Sequence, residues 1–453
     1  MTADRVAELT GWANTAPSAA HLRTPVTPAE LAAALDRPGP RGTIARGLGR
    51  SYGDPAQNAG GTVVETTAVA GITDLDESRG TVTAAAGTSL EQLMEALVPR
   101  GWFVPVTPGT RQVTVGGAIA SDIHGKNHHV AGSWCDSVDA MTLLTPAEGV
   151  RRITPTSDPD LFWATAGGMG LTGIVLDATF RLKPIETSLL AVDTDRTPDL
   201  DTCLALMESG DEGYDYSVAW IDLMARGRSM GRSILGRGTF APLDALPAAR
   251  QRDPLAFSGT TLATAPSLVP PHLVNRATIK AFNEVWYRIA PKRARGQLQT
   301  IGTFFHPLDL VDRWNRVYGR HGLLQWQFVI PLGATDELRA IIGQLSASGC
   351  PSFLAVLKRM GPGNPGPLSF PIEGWTLAFD VPADSPGLGP LLDRLDDQVV
   401  AMGGRLYLAK DSRMRPELLR DMYPKLDDWL AVRRRVDPDG VLVSDLARRL
   451  HLV

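Results

Sequence analysis

The sequence predicts an α+β chain of two domains, and three observations carry that reading. Short Val- and Thr-rich segments bounded by glycine interleave with short capped helices over the first 185 residues. From about residue 186 the strand-like segments lengthen and helices sit between them, the pattern of a larger, mostly antiparallel sheet. Three glycine-rich elements fall in the first half, and none has the form of a Rossmann or Walker loop. A length of 453 residues leaves room for two or three domains with a substantial core.

In the first domain, Thr43–Ala45, Thr62–Glu65, Thr81–Ala85 and Val138–Thr145 read as strands. Ser89–Pro99 reads as a helix, with Ser89 at the cap and Leu90, Leu93, Met94 and Leu97 on one face. Asp158–Ala166 is a short helix with Asp158 at its N-cap and Pro159 in its first turn. Leu171–Leu182 is a strand pattern that stops before Pro184. In the second domain, Tyr214–Asp222, Ser229–Gly236, Leu298–His306, Leu323–Pro331 and Gly374–Val381 read as strands, and Leu308–Tyr318 and Thr335–Ser346 as helices. Pro-rich Ala265–His272 and basic Ala290–Arg295 flank a helix-like run, Leu273–Ile289, and the whole stretch 265–295 has the character of a lid or a disordered segment. The tail carries helical pieces at Pro416–Met422 and Lys425–Arg435, then Asp437–Gly440 and Ser444–Leu450, and is apolar enough to dock rather than fray.

Composition excludes several classes. A net charge of −4 argues against a nucleic-acid protein. Cys135, Cys203 and Cys350 lie far apart and offer neither a disulfide framework nor a zinc knuckle. The opening residues lack a basic region followed by an apolar stretch, so no Sec signal peptide is expected. No run of 18 apolar residues suits a membrane span.

The chemistry begins at Ala45-Arg46-Gly47-Leu48-Gly49-Arg50-Ser51-Tyr52-Gly53-Asp54. Its glycines permit close backbone approach, and successive N–H groups of such a turn make a concave anion site. A phosphorylated cofactor is the simplest guest; a tight surface turn is the bland alternative. A second element, Gly168-Met169-Gly170-Leu171-Thr172-Gly173, spells GxGxxG, but a helix precedes it and a strand follows. That order is the reverse of a dinucleotide fingerprint. The third runs from Pro108 to Ala120 and leaves a face of small residues for an extended cofactor. It leads into His124, His128 and His129, where no carboxylate completes a metal shell, so no metal is expected.

Together these elements resemble the vanillyl-alcohol-oxidase (PCMH-type) flavoproteins, whose fold pairs an FAD domain with a substrate domain. The resemblance spans essentially the whole chain and rests on ARGLGRSYGD (45–54), PGTRQVTVGGAIASDIHGKNHH (108–129), LQWQFVIP (residues 324–331), PLSFPIEGW (367–375), YLAKDSR (407–413) and SDLARRL (444–450). It implies an FAD domain at 1–187, a substrate domain at 188–404, and a tail at 405–453 that returns to the FAD domain. It places FAD against residues 45–54, Gly109, Thr114, Val115, Gly116, Gly117, Ser121, Asp122, Ile123, His124, Ile174, Val175 and Tyr407. Many relatives carry a flavin-linking histidine just before the loop serine. Arg50 stands there, which implies non-covalent FAD.

The branch of the family with these strings implies oxidation of a secondary alcohol, the ribose 2′-hydroxyl of a decaprenylphosphoryl sugar, to the ketone. That is the first half of an epimerisation to the arabino sugar for cell-wall arabinan, completed by an NADH-dependent 2-keto reductase partner. Lys410 and His124 are the catalytic candidates, as base or as the cation facing the reduced flavin. From sequence alone, a surface ion pair with Asp411 competes for Lys410. Lys126, Gln325, Gln327, Lys358 and Ala378 match substrate-pocket positions. Gln325 and Gln327 are two apart on a strand and share a face. Ala378 stands where mycobacterial members carry the cysteine trapped by nitroaromatic inhibitors. A sugar, alditol or aldonolactone oxidase that uses oxygen is the rival activity. Peripheral contact with a membrane through 265–295, and a place in the cell envelope against the plasma membrane, complete the expectation.

Overall fold

The computed structural model describes residues 5–259, 261–266 and 273–453. The first part holds two main sheets and a two-stranded pairing of Trp102–Phe103 with Lys183–Pro184. One has the order Arg5–Leu9, Ser18–Arg23, Thr62–Glu65, Thr43–Arg46, and its last three strands run parallel. The other is antiparallel throughout, in the order Ile72–Asp76, Thr81–Ala85, Ile174–Arg181, Val138–Thr145, Gly149–Ile153. The predicted helix forms at Leu90–Leu97, and Ser89 and Gln92 close a capping box around its first turn. Helix Pro159–Thr165 starts at Asp158, whose carboxylate accepts from Leu161 N–H.

The second part is one eight-stranded sheet, ordered Arg293–Thr300, Leu189–Thr197, Ser233–Phe240, Tyr216–Ile221, Ala355–Met360, Gly374–Pro382, Leu323–Pro331, Arg405–Leu406. Every pairing in it is antiparallel. Its two faces have different jobs. One face sends Leu235, Ala219, Leu357, Leu377, Phe379, Trp326 and Phe328 into the main core, under helices Leu200–Gly210, Thr335–Ser348 and Leu388–Ala401. The other face looks toward the first domain and walls a cavity.

Three expected elements differ. Leu298–His306 is not a strand through its length: the strand stops at Thr300, and Ile301–Phe305 is helical. Thr300 caps that turn, and Ile301, Phe304 and Phe305 are buried at helical rather than alternating spacing. Leu308–Tyr318 is not one helix. A 3₁₀ turn at Pro307–Leu310 gives way to a short strand, Val311–Asp312, paired with Ala263–Thr264. Arg313 then turns to φ 53° before a kinked 3₁₀ segment, Trp314–His321. The expected strand Ser229–Gly236 lies at Ser233–Phe240. Within the lid-like stretch, a helix spans Arg276–Ile289, and residues 267–272 lie outside the described residues.

The tail is stitched into the first domain. Thr43 and Val441–Val443 exchange backbone hydrogen bonds of 2.7 and 3.0 Å. Buried Trp429 donates its indole N–H to Ala164 O at 3.0 Å. Arg449 bonds both oxygens of Asp54, at 2.8 and 3.0 Å, and Asp411 at 2.8 Å.

Candidate active site

The glycine loop leaves strand Thr43–Arg46 with its donors unspent. The backbone N–H groups of Gly47 to Ser51 have no acceptor among the described residues. Consecutive free N–H groups around a turn form an anion site. Gly49 sits at φ 65°, and a Cβ there would fall 2.3 Å from Arg46 Nη2. Arg46 itself is spent on the carbonyls of Thr10 and Ala56, at 2.8 and 3.0 Å. Its charge therefore braces the loop. Arg50 lies over the Trp12 ring at 4.0 Å.

This loop is one wall of a cavity of about 1000 Å³. Ala45 through Tyr52 line it, as do Gly109, Thr114, Gly116, Gly117, Ser121, Ile123, His124, Ile174, Val175 and Tyr407. Gly116 and Gly117 belong to a helix, Val115–Ala120, whose N-cap Thr114 accepts from Gly117 N–H. Four expected contacts do not reach the wall. Gly53 packs on the tail, where a Cβ would lie 1.9 Å from Asp411 O. Asp54 is taken by Arg449. Val115 points into the core. Asp122 is fully buried and accepts from Ser369, Asn364 and Cys135 N–H, so it holds the loop that carries Ile123 and His124.

The large sheet supplies the opposite wall. Gln325, Gln327, Ala378, Val356, Lys358 and Trp220 face it from four adjacent strands. The strand pairing sets Gln327 opposite Ala378 and Gln325 opposite Asp380. Lys126 and Lys410 complete the polar end. Lys126 donates to Phe304 O, and its ammonium lies 4.3 Å from the Phe304 ring centre. The Lys410 ammonium sits 3.9 Å over the ring of Tyr52. Asp411 turns away to Arg449, so the surface ion pair weighed for Lys410 does not form.

Burial sets the protonation of this end. It lowers Lys126 to about 7 and Lys358 to about 8. It also lowers Lys410, against the pull of Asp380. Burial holds His124 well below its ordinary value, and the charges of Lys358, His128 and Lys410 add to that. That shift favours the neutral ring and disfavours His124 as the fixed cation. Its Nε2 accepts from the Gln327 amide at 2.9 Å, its Nδ1 has no partner among the described residues, and its ring leans on Tyr407 and Phe370. Tyr407 donates its hydroxyl to Ser121 O at 2.9 Å.

Sequence reasoning missed Asp380, fully buried on strand Gly374–Pro382. One oxygen accepts from Gln325, and the other has no partner among the described residues. A lone acid in an otherwise apolar strand (WTLAFDVP) was the available signal. Trp220, Phe353 and Val356 were also missed. They belong to strands or loops that only sheet pairing brings to the site.

The cavity suits FAD on its own geometry, with unpaired N–H donors for a pyrophosphate at the glycine loop and a wall of small residues beside it. Residues 19–154 match the family model described as an FAD binding domain, and 385–450 match that of D-arabinono-1,4-lactone oxidase. Fold and cavity thus define an FAD-dependent oxidoreductase of the PCMH type. The decaprenylphosphoryl-β-D-ribose oxidase of Mycolicibacterium smegmatis is 48% identical over 98% of this chain and 97% of its own length. The chain belongs to that oxidase's family. An uncharacterised Streptomyces coelicolor protein is 42% identical over 80% of this chain and all of its own length. A rice L-galactono-1,4-lactone dehydrogenase is 31% identical over 24% of this chain and 19% of its own length.

Two outcomes follow from this geometry. Acid precipitation of the yellow protein is expected to release its FAD to the supernatant; colour retained in the pellet would show a covalent link and refute the reading of Arg50. Ala378 offers no thiol on its strand, so a nitroaromatic inhibitor of the cysteine-trapping type should leave the intact mass unchanged. Ala378→Cys should gain the adduct.

Proposed function

We propose that this protein oxidises the ribose 2′-hydroxyl of decaprenylphosphoryl-β-D-ribose to the ketone, with non-covalent FAD. The carrying observation is a single cavity that joins the glycine loop to the Lys–Gln wall, in a chain 48% identical to an oxidase named for that substrate. FAD, when bound, supplies the hydride acceptor. The rest falls to the chain. Gln325 and Gln327, on one face of their strand, hold sugar hydroxyls, and Lys358 and Lys126 neutralise the phosphate. Lys410 takes the hydroxyl proton, since burial weakens its own hold on a proton. Once protonated it leaves a positive charge in the cavity, where the reaction builds negative charge. Asp380 orients Gln325 and steadies that charge. Neutral His124 positions Gln327.

The same proposal includes domains at 1–187, 188–404 and 405–453. It also includes a place in the cell envelope at the plasma membrane, and an NADH-dependent reductase partner that completes the epimerisation for cell-wall arabinan. A lipid-linked substrate requires contact with a membrane.

Under anaerobic conditions, farnesylphosphoryl-ribose should bleach the flavin absorbance of the purified protein. Lys410→Ala should keep its FAD and lose about 10²-fold or more of the bleaching rate. Bleaching by an aldonolactone or alditol instead, with peroxide formed in air, would favour the oxygen-using rival. Lys358 binds phosphate only as the cation, so kcat/KM should fall as pH rises through about 8. Lys358→Gln should start lower and flatten that limb; an unchanged limb would remove Lys358 from phosphate binding.

A further inference from the structure

Strand Ser233–Phe240 carries a glycine that its backbone does not ask for. Gly236 sits inside the large sheet, paired with Thr194 on one side and Val218 on the other. Its φ lies outside the left-handed region. A Cβ built on it would meet nothing closer than the Val218 carbonyl oxygen, at 3.9 Å. Glycine weakens a strand interior, and where φ gives no reason for it, it marks a place where another molecule or chain comes close. Gly238, on the same face of the strand, has no such space. A Cβ there would lie 3.2 Å from Val192 Cγ2 and 3.5 Å from Phe304 Cζ. The opening over Gly236 is therefore local, and Phe304 bounds it on one side.

Strand register extends the opening into a trough. Thr194, Gly236, Val218 and Lys358 fall in one row across four strands. Ile234, Trp220 and Val356 make the neighbouring row, which continues to Ala378 and Gln327. Both rows line the cavity. Strands lie about 4.8 Å apart, so three intervals carry the trough about 14 Å from Lys358 to Thr194. Its floor between those ends is apolar: Val356, Val218, Trp220 and Ile234 around Gly236. Arg196, paired with Ile234, gives its guanidinium to the carbonyls of Tyr287 and Arg288 at 3.2 and 2.9 Å. One end thus carries an ammonium, and an apolar channel leads away from it.

We propose that this trough seats the part of the substrate's lipid chain nearest the phosphate, and that Gly236 decides whether the chain fits. Lys358 holds the phosphate at the head, and the chain crosses Val218 and Val356 to pass over Gly236. A sugar laid there would leave its hydroxyls facing hydrocarbon, which burial penalises. The identity of the occupant rests on the function proposed above.

The test is calorimetric titration of the FAD-loaded protein with isopentenyl, geranyl and farnesyl phosphate. The wild type should bind the farnesyl compound at least tenfold more tightly than the isopentenyl one. Gly236→Leu fills the trough beyond the reach of the five-carbon chain. It should keep its flavin absorbance and Tm, bind isopentenyl phosphate within threefold of the wild type, and lose the gain from the longer chains. Ile234→Asn puts an amide on the same floor and should cut the same gain. A wild type indifferent to chain length would overturn the proposal, as would a full gain retained by both variants. So would an equal loss for all three phosphates, or loss of FAD, in Gly236→Leu. A gain that Gly236→Leu abolishes, in a protein whose flavin farnesylphosphoryl-ribose does not bleach, leaves the trough standing as a prenyl-phosphate subsite and removes the ribose-oxidation reading.

Discussion

The site depends on one ionic clamp. Arg449, near the end of the chain, holds Asp54 at the end of the glycine loop and Asp411 beside Lys410. It ties the anion-binding turn and the lysine that faces it to a single guanidinium. Asp411 is nearly sequestered from solvent, so loss of Arg449 would leave an uncompensated buried charge, a cost of about 3–5 kcal/mol. Around the clamp, Tyr52 N–H donates to Ala409 O at 2.9 Å, and Gly53 closes on Asp411 with no space for a side chain. The cofactor end and the chemical end of the cavity are thereby set at a fixed separation.

The large sheet solves a second problem, how to keep several lysines out of bulk water. Strand alternation sends Trp326, Phe328, Leu377 and Phe379 to the core and Gln325, Gln327 and Ala378 to the cavity. The half-buried lysines that line the cavity have soft partners. Lys410 rests on Tyr52 and Lys126 on Phe304, and the Asp380 carboxyl, itself raised to about 7 by burial, pulls Lys410 upward when ionised. These lysines are consequently weaker acceptors of protons than exposed ones, which is the property that proton transfer near neutral pH requires. The same burial disfavours a charge on His124, whose ring lies between Gln327 and Tyr407.

Much of this was legible in the chain. The strands Thr62–Glu65, Thr81–Ala85, Val138–Thr145 and Leu323–Pro331 lie where composition and alternation put them. The caps Ser89 and Asp158 form as read, because a cap is a local hydrogen bond. The elements that failed did so for local reasons of another kind. Thr300 turns the chain before Phe304 and Phe305, and Arg313 takes a left-handed turn that interrupts what reads as a helix. Periodicity over a few apolar residues cannot separate those cases.

The sequence by itself determined the glycine loop, the oxidoreductase family, FAD, and the two glutamines on one strand face, because each is carried by neighbours in the chain. Tertiary structure alone decided what those residues meet. It assigned Arg46 to bracing, removed Gly53, Asp54, Val115 and Asp122 from the cavity wall, and brought Asp380, Trp220 and Phe353 to the site. It also turned Phe282, Val285, Trp286 and Ile289 of helix Arg276–Ile289 outward, which the helical period alone leaves open. The reason is common to all of these: strand pairing and long-range ion pairs join residues separated by hundreds of positions, and no local pattern encodes which partner burial will select.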